Sequence, residues 1–122
     1  MRRQTITVRV TFLCIDHETA NIGRGHQTRV FLMERDPLDP DDLLAEAYTS
    51  PDVFVNISGV DDEDAPIEPY LKVHHACGAR RGCRRIVEYP IPADKLNAIY
   101  HMGYVTLNNY FHGETVVCGF DD

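Results

Sequence analysis

The chain has 122 residues, a formal net charge of −7, 43% apolar residues and no tryptophan. That length fits a single domain, residues 1–122, large enough to bury a core. The acidic balance excludes general nucleic-acid binding, which needs a basic footprint, and no window approaches the roughly eighteen consecutive apolar residues of a membrane-spanning helix.

Taken in order, Ile6, Val8, Val10, Phe12 and Cys14 alternate with Thr5, Thr7, Arg9, Thr11 and Leu13. This period of two predicts a long first strand with Cys14 pointing inward. Residues 16–26 are polar, contain Gly23 and Gly25, and read as a loop. Thr28, Val30 and Leu32 give the inner face of a second strand, while Phe31 and Met33 suggest that its other face is partly covered. Residues 36–49 admit two readings. Asp39 as N-cap and Pro40 as first helical residue would start a short helix over residues 43–47; the rival is a proline turn followed by a strand over residues 43–49. Val53, Val55 and Ile57 define a further strand ending at Gly59, and residues 61–64 form an acidic turn.

The most informative stretch is residues 67–85, IEPYLKVHHACGARRGCRR. Leu71, Val73, His75 and Cys77 fall on one strand face, and Tyr70, Lys72, His74 and Ala76 on the other. Pro66 and Pro69 keep the start irregular or at a sheet edge, because proline cannot donate to the ladder. Gly78 and Gly82 bracket Arg80 and Arg81, and Cys83 returns the chain to another strand. There Val87, Tyr89 and Ile91 face inward, with Pro90 marking an edge or an end. Residues 93–100 read as one or two helical turns broken by Gly103. Val105 and Leu107 begin a strand running toward Phe111, His112-Gly113 turns the chain, and Val116, Cys118 and Phe120 form a last strand with Cys118 inward. Seven or eight short strands with one short helix predict an all-β sandwich.

Four cysteines allow three pairings, and their spacing is not that of a zinc site. Two disulfides suit a small secreted domain better than four buried thiols. A Cys77–Cys83 bond would clamp the arginine-tipped turn, and a Cys14–Cys118 bond would join the first and last strands if these are neighbours. Secretion would imply a signal peptide absent from this sequence, and Asn56-Ile57-Ser58 is a glycosylation sequon with Asn56 facing outward.

Combined motifs resemble the nematode transthyretin-like family. Residues 38–44, LDPDDLL, and Thr49 resemble its LDPDDLL…T segment; residues 69–77, PYLKVHHAC, resemble its PYLKIYHDC. Cys83-Arg84-Arg85 with Ile91-Pro92, and Gly103, Leu107-Asn108 and Gly113-Glu114, match its later pattern. His74 and Ala76 depart from the family's aromatic residue and aspartate, the loop at residues 16–27 is longer, and Pro51-Asp52-Val53 replaces an Asn-Gly turn. The resemblance implies a secreted sandwich of two sheets. One group in the family bridges dying cells to phagocytes by binding exposed phosphatidylserine and a phagocyte receptor; other members are secreted by parasites as effectors. The hydroxyisourate hydrolases related to transthyretin carry a Tyr-Arg-Gly-Ser signature, whereas residues 119–122 here read Gly-Phe-Asp-Asp.

Candidate residues follow. Arg80, Arg81, Arg84 and Arg85, joined by Lys72, form the one dense basic cluster, and guanidinium forks match phosphate and carboxylate oxygens. The bland alternative is a charge-guarded turn on an acidic surface. Asp39, Asp41 and Asp42, or residues 61–64, offer oxygens to calcium, but acids at turns explain them without a metal. His74 and His75 point to opposite faces and cannot share a metal; His75 reads as a hydrogen-bonded core residue. His17, His26, His101 and His112 are scattered, and no Cys–His pair is set up locally. The resemblance, joined to this basic cluster, implies a non-enzymatic extracellular adaptor with no cofactor or metal, binding phosphatidylserine and a phagocyte receptor, with a homodimer adding avidity. The alternatives are a secreted effector, a carrier of a small apolar ligand and, from another class, a hydrolase.

Overall fold

The computed structural model describes residues 2–15, 28–63 and 67–120. The loop expected at residues 16–26, with His17 and His26, lies outside the described residues, as do Asp64 and Pro66. Among the described residues eight strands form: β1 (Arg2–Leu13), β2 (Thr28–Glu34), β3 (Asp42–Thr49), β4 (Phe54–Glu63), β5 (Pro69–His75), β6 (Cys83–Pro90), β7 (Ile99–Thr106) and β8 (Thr115–Cys118). A 3-10 turn, Ala93–Lys95, is the short helix. The strands build a three-stranded sheet in the order β4-β1-β7 and a five-stranded sheet in the order β3-β2-β5-β6-β8. This is the all-β, two-sheet sandwich expected.

Alternation in the sequence becomes burial in the fold. Ile6, Val8, Val10 and Phe12 of β1 are at most 1% exposed, and they meet Val30, Leu32, Leu71, Val73 and Val87 of the other sheet. Each such side chain contributes about 1.5–3 kcal/mol by leaving water. Phe31 and Met33 are half-buried on the outer face of β2, so that face is partly covered as expected.

One open reading is resolved and two local expectations change. Residues 42–49 take the strand reading and not the helical one: the chain pairs along β2, and half-buried Leu44, Ala45 and Ala47 pack on the core. Edge pairing and burial there override helix propensity. Residues 61–63 continue β4 instead of turning; Asp62 stands opposite Arg3 of β1, so charge complementarity carries the pairing outward. Residues 99–106 are a strand, where helical turns had been expected up to residue 100. Asn97 accepts the Thr5 N–H at 2.8 Å through Oδ1 and returns its own N–H to the Thr5 carbonyl at 2.8 Å. That exchange lays Ile99, Tyr100 and Tyr104, good strand formers, parallel along the free side of β1.

The disulfide connectivity also differs from both expected bonds. Cys14 joins Cys77 and Cys83 joins Cys118, with Cα–Cα distances of 5.8 and 3.9 Å. A Cys14–Cys118 bond would need β1 beside β8. However, β1 is central in the three-stranded sheet, and β8 is the far edge of the other, next to β6. Cys83 and Cys118 are direct partners in the β6–β8 register. Cys77, just past β5, instead reaches across the sandwich to Cys14, just past β1. One bond thus ties the sheets together and the other ties the edge strand to its neighbour. Both fit an oxidising compartment.

The bonds close loops of 63 and 35 residues. In the chain-entropy picture each stabilises the fold by about 4 kcal/mol. Peptide mapping of the unreduced protein is expected to recover the Cys14–Cys77 and Cys83–Cys118 pairs. Cys14→Ala with Cys77→Ala should lower unfolding free energy in urea by about that amount; recovery of a Cys77–Cys83 peptide would contradict the connectivity.

Candidate functional site: the arginine turn and the arginine beneath it

The β5–β6 connection is two consecutive tight turns. The Ala79 N–H donates to the Ala76 carbonyl at 3.0 Å and the Cys83 N–H to the Arg80 carbonyl at 2.9 Å. Gly78 and Gly82 hold φ of 67° and 82°, which other residues rarely adopt. The geometry pushes Arg80 and Arg81 outward, and both are exposed. Arg84 lies on the outer face of β6, opposite Val117 of β8. Its guanidinium sits 4.5 Å from the centroid of the Phe120 ring and donates to the Cys83 carbonyl at 2.9 Å. The Gly82 carbonyl accepts both the Gly119 and the Phe120 N–H at 3.0 Å, so residues after β8 are stitched to the turn.

Arg85 does not belong to this exposed group. It is 1% exposed and faces the sandwich interior with Val87 and Tyr89. All five of its N–H donors are used. Nε donates to Glu114 Oε2 at 2.7 Å; Nη1 to the carbonyls of Cys77 and Leu107 at 2.6 and 2.8 Å; Nη2 to the Asn109 carbonyl and Glu114 Oε1, each at 3.0 Å. The Tyr110 ring covers the guanidinium at 3.9 Å. Burial pushes the Glu114 carboxyl up, but the Arg85 hydrogen bonds and the Phe111 N–H more than offset this and hold it below its ordinary value. Arg85 is therefore removed from the ligand-binding set. The parity of residues 83–89 carried the signal: Arg85 shares the face of Cys83, Val87 and Tyr89.

Lys72 is also apart from the turn. It lies mid-β5 on the outer face, opposite Glu88 of β6, five residues or about 17 Å along the strand from Cys77. It lines a cavity of about 490 Å³ with Arg35, Glu88, Phe111 and His112. Arg35 holds Glu88 at 2.9 Å.

Family-motif residues that are distant in sequence meet in space. Tyr70 donates its hydroxyl to Asp41 Oδ2 at 2.5 Å, under the Arg35 guanidinium 4.1 Å above the ring. Hydrogen bonding to Tyr70 and to the Asp36 N–H lowers the Asp41 carboxyl, and burial plus that contact raise the Tyr70 hydroxyl above its ordinary range. Asn108 Oδ1 accepts the Ile15 N–H at 2.7 Å. Asp36 Oδ1 accepts the Leu38 and Asp39 N–H groups, at 3.1 and 3.3 Å. Asp36 and Asp41 are thus occupied by hydrogen bonding within the turn. Separately, Glu34, Asp42 and Asp61 place carboxylate oxygens within 4.8 Å of one another. One comes from each acidic run and one, Glu34, was not singled out in the sequence.

His74 and His75 do face opposite ways. His74 sits edge-on to Phe31 at 5.1 Å. His75 is buried, and its Nδ1 accepts the Cys77 N–H at 3.0 Å. Asn56 is exposed on β4, as the sequon requires. Among the described residues, no helix is long and apolar enough to cross a membrane.

One antiparallel and one mixed sheet, an inter-sheet disulfide and an internal arginine–glutamate tie define a small disulfide-bonded β-sandwich domain. Residues 11–92 match the family model described as TTR-52, transthyretin-like family. Transthyretin-like protein 16 of Caenorhabditis elegans is 38% identical over 118 residues, covering 96% of this chain and 85% of that protein. Transthyretin-like protein 46 of the same nematode is 40% identical over 78 residues, covering 63% of this chain and 40% of the relative. Transthyretin-like protein 5 is 34% identical over 88 residues, covering 66% and 63%. The chain belongs to the transthyretin-like family.

Two outcomes follow from the buried groups. Removing one member of a buried, fully bonded pair strands the other, so Glu114→Gln is expected to cost about 3–5 kcal/mol of unfolding free energy. Burial, then the Arg85 charge, push the His75 ring down from 6.5 to about 4. Between those values the unfolded chain binds the extra proton and the folded one does not. Stability is thus full above pH 6.5 and falls as pH drops toward 4, by about 3 kcal/mol from this group. Glu114, with its lowered value, adds loss in the same direction at lower pH. Melting curves from pH 7 to 4 should show the decline, and His75→Gln should flatten it above pH 4.

Proposed function

We propose that this protein is a secreted, non-enzymatic extracellular adaptor, acting as one transthyretin-like domain over residues 1–122. Through Arg80, Arg81 and Arg84 it binds phosphatidylserine exposed on apoptotic cells, and another surface engages a phagocyte receptor for engulfment. The supporting observation is the composition of one patch. Three arginines project at the end of the five-stranded sheet beside Phe120 and Val117, which are 41% and 43% exposed. A cationic rim around apolar side chains suits a headgroup layer over acyl chains. The forks meet phosphate and serine carboxylate together, while the rings and methyls rest at the interface.

The magnitudes decide how the adaptor must work. Each arginine near an anionic leaflet is worth about 1 kcal/mol, so three give only weak attachment. The net charge of −7 opposes approach, but is screened beyond a Debye length of about 8 Å. Tight capture then depends on multivalency, and a homodimer with two patches would supply it. Lys72 contributes to headgroup binding only from its own groove, not from the turn. Asn56 on the opposite sheet would accept a glycan during secretion without crowding the patch.

Arg80→Glu with Arg81→Glu is expected to abolish sedimentation with vesicles containing phosphatidylserine, with melting temperature unchanged because both side chains are exposed. Vesicles of phosphatidylcholine alone should retain neither protein. Undiminished binding of the double variant would remove the arginine turn from the mechanism.

A further inference from the structure

The outer face of the three-stranded sheet carries a feature unrelated to the arginine patch. Thr11 of β1 stands opposite Phe54 of β4 on one side and Tyr104 of β7 on the other. Both rings project into solvent, at 61% and 77% exposure. Two inter-strand steps put their strands about 10 Å apart, with the Thr11 hydroxyl between them. Arg9 occupies the next row, opposite Asn56 and His101. The β1–β7 register shifts between Arg9 and Val10, and Gly103 at φ 71° occupies the irregularity. A Cβ at Gly103 would meet nothing within 4 Å, so the bulge leaves an open hollow beside Tyr104. The result is an open hollow of about 170 Å³ walled by Phe54 and Tyr104, floored by Thr11 and Gly103 and bordered by Arg9 and His101.

The size and chemistry narrow the occupant. That volume equals about five or six waters at roughly 30 Å³ each, which suits one substituted ring and not a peptide or an acyl chain. Aromatic faces stack against the C–H face of a ring. Its lining offers the Thr11 hydroxyl, the His101 imidazole and the Arg9 guanidinium, three polar groups that a polyhydroxylated ring can engage together and a plain aromatic acid cannot. Arg9 forms no ion pair among the described residues. The rows from Ile99 to Tyr104 hold no carboxylate, although the chain has 19 acidic residues against 12 Lys and Arg. Asp52 lies just past the Thr11 row, its N–H donating to the Phe12 carbonyl at 2.8 Å, and Asp62 lies opposite Arg3 at the far end of β4. Within the rows themselves Arg9 is the one formal charge, and it is the group a carboxylate would meet.

We infer that the slot between Phe54 and Tyr104 binds a single acidic sugar ring, a uronic acid, its ring between the two aromatic side chains and its carboxylate on Arg9. This site is independent of the lipid patch, which lies on the other sheet.

The test uses isotope-labelled protein from a bacterial host, so that Asn56 carries no glycan, titrated with glucuronate, glucose or benzoate and followed by amide chemical shifts. Glucuronate is expected to give saturable shifts confined to the rows around Thr11, with glucose about tenfold weaker. Phe54→Ala and Tyr104→Ala should each weaken glucuronate binding about tenfold. Arg9→Gln should erase the preference for glucuronate over glucose. Absence of saturable shifts, equal affinity for glucose and glucuronate, or tighter binding of benzoate than of glucuronate would each overturn the assignment, and none of these readings depends on a variant folding.

Discussion

The five donated hydrogen bonds of Arg85 are the constraint on which this fold turns. A guanidinium inside a sandwich is expensive unless every N–H finds an acceptor. Here the acceptors come from three places: Cys77 at the turn, Leu107 and Asn109 after β7, and Glu114 before β8. Cys77, Asn109 and Glu114 lie outside the strands, and Leu107 adds one backbone bond past the end of β7, its N–H donating to the Leu13 carbonyl at 2.7 Å. One side chain thus organises the irregular end of the molecule, as the hydrophobic core organises the middle. Tyr110 closes the site from above, and Glu114 anchors its own loop by accepting the Phe111 N–H at 2.9 Å.

The two disulfides divide the remaining work. Cys14–Cys77 joins the sheets at the same end where Arg85 bonds the Cys77 carbonyl, so covalent and polar restraints converge on one residue. Cys83–Cys118 holds an edge strand of four residues, none buried, beside β6. The outer display surfaces are therefore built from weakly buried elements fixed by point restraints. The rigid parts, β1, β2, β5 and β6, supply the alternating apolar faces beneath them.

Much of this was legible in the residues. Alternation placed β1, β2, β5 and β6 and their inward faces, because a half-buried strand writes its period directly into hydrophobicity. Family motifs pointed to a two-sheet sandwich. What could not be read was anything decided by distant pairing. Residues 43–47 favour helix locally and become strand only because β2 offers an edge. Residues 99–103 pair parallel to β1, a contact across some ninety residues that no local pattern encodes. The cysteine connectivity needed the strand order. The arginine cluster was read as one surface because its residues are adjacent, although side-chain parity separates Arg84 from Arg85. The aromatic slot was invisible since Phe54, Thr11 and Tyr104 come from three strands.

The attachment of β8 carries a consequence for chemical environment. Its four residues gain little from desolvation, so the covalent link to Cys83 does much of the holding. A reductant acts on both disulfides, and this one alone fastens the outermost strand of its sheet. With that link cut, Val117 and Phe120 would keep only the β6 ladder, the Gly82 carbonyl and the Arg84 contact to hold them at the turn. The thiol–disulfide state of the surroundings thus bears first on the corner where the proposed lipid patch sits, and also on the sheet-to-sheet tie through Cys14–Cys77.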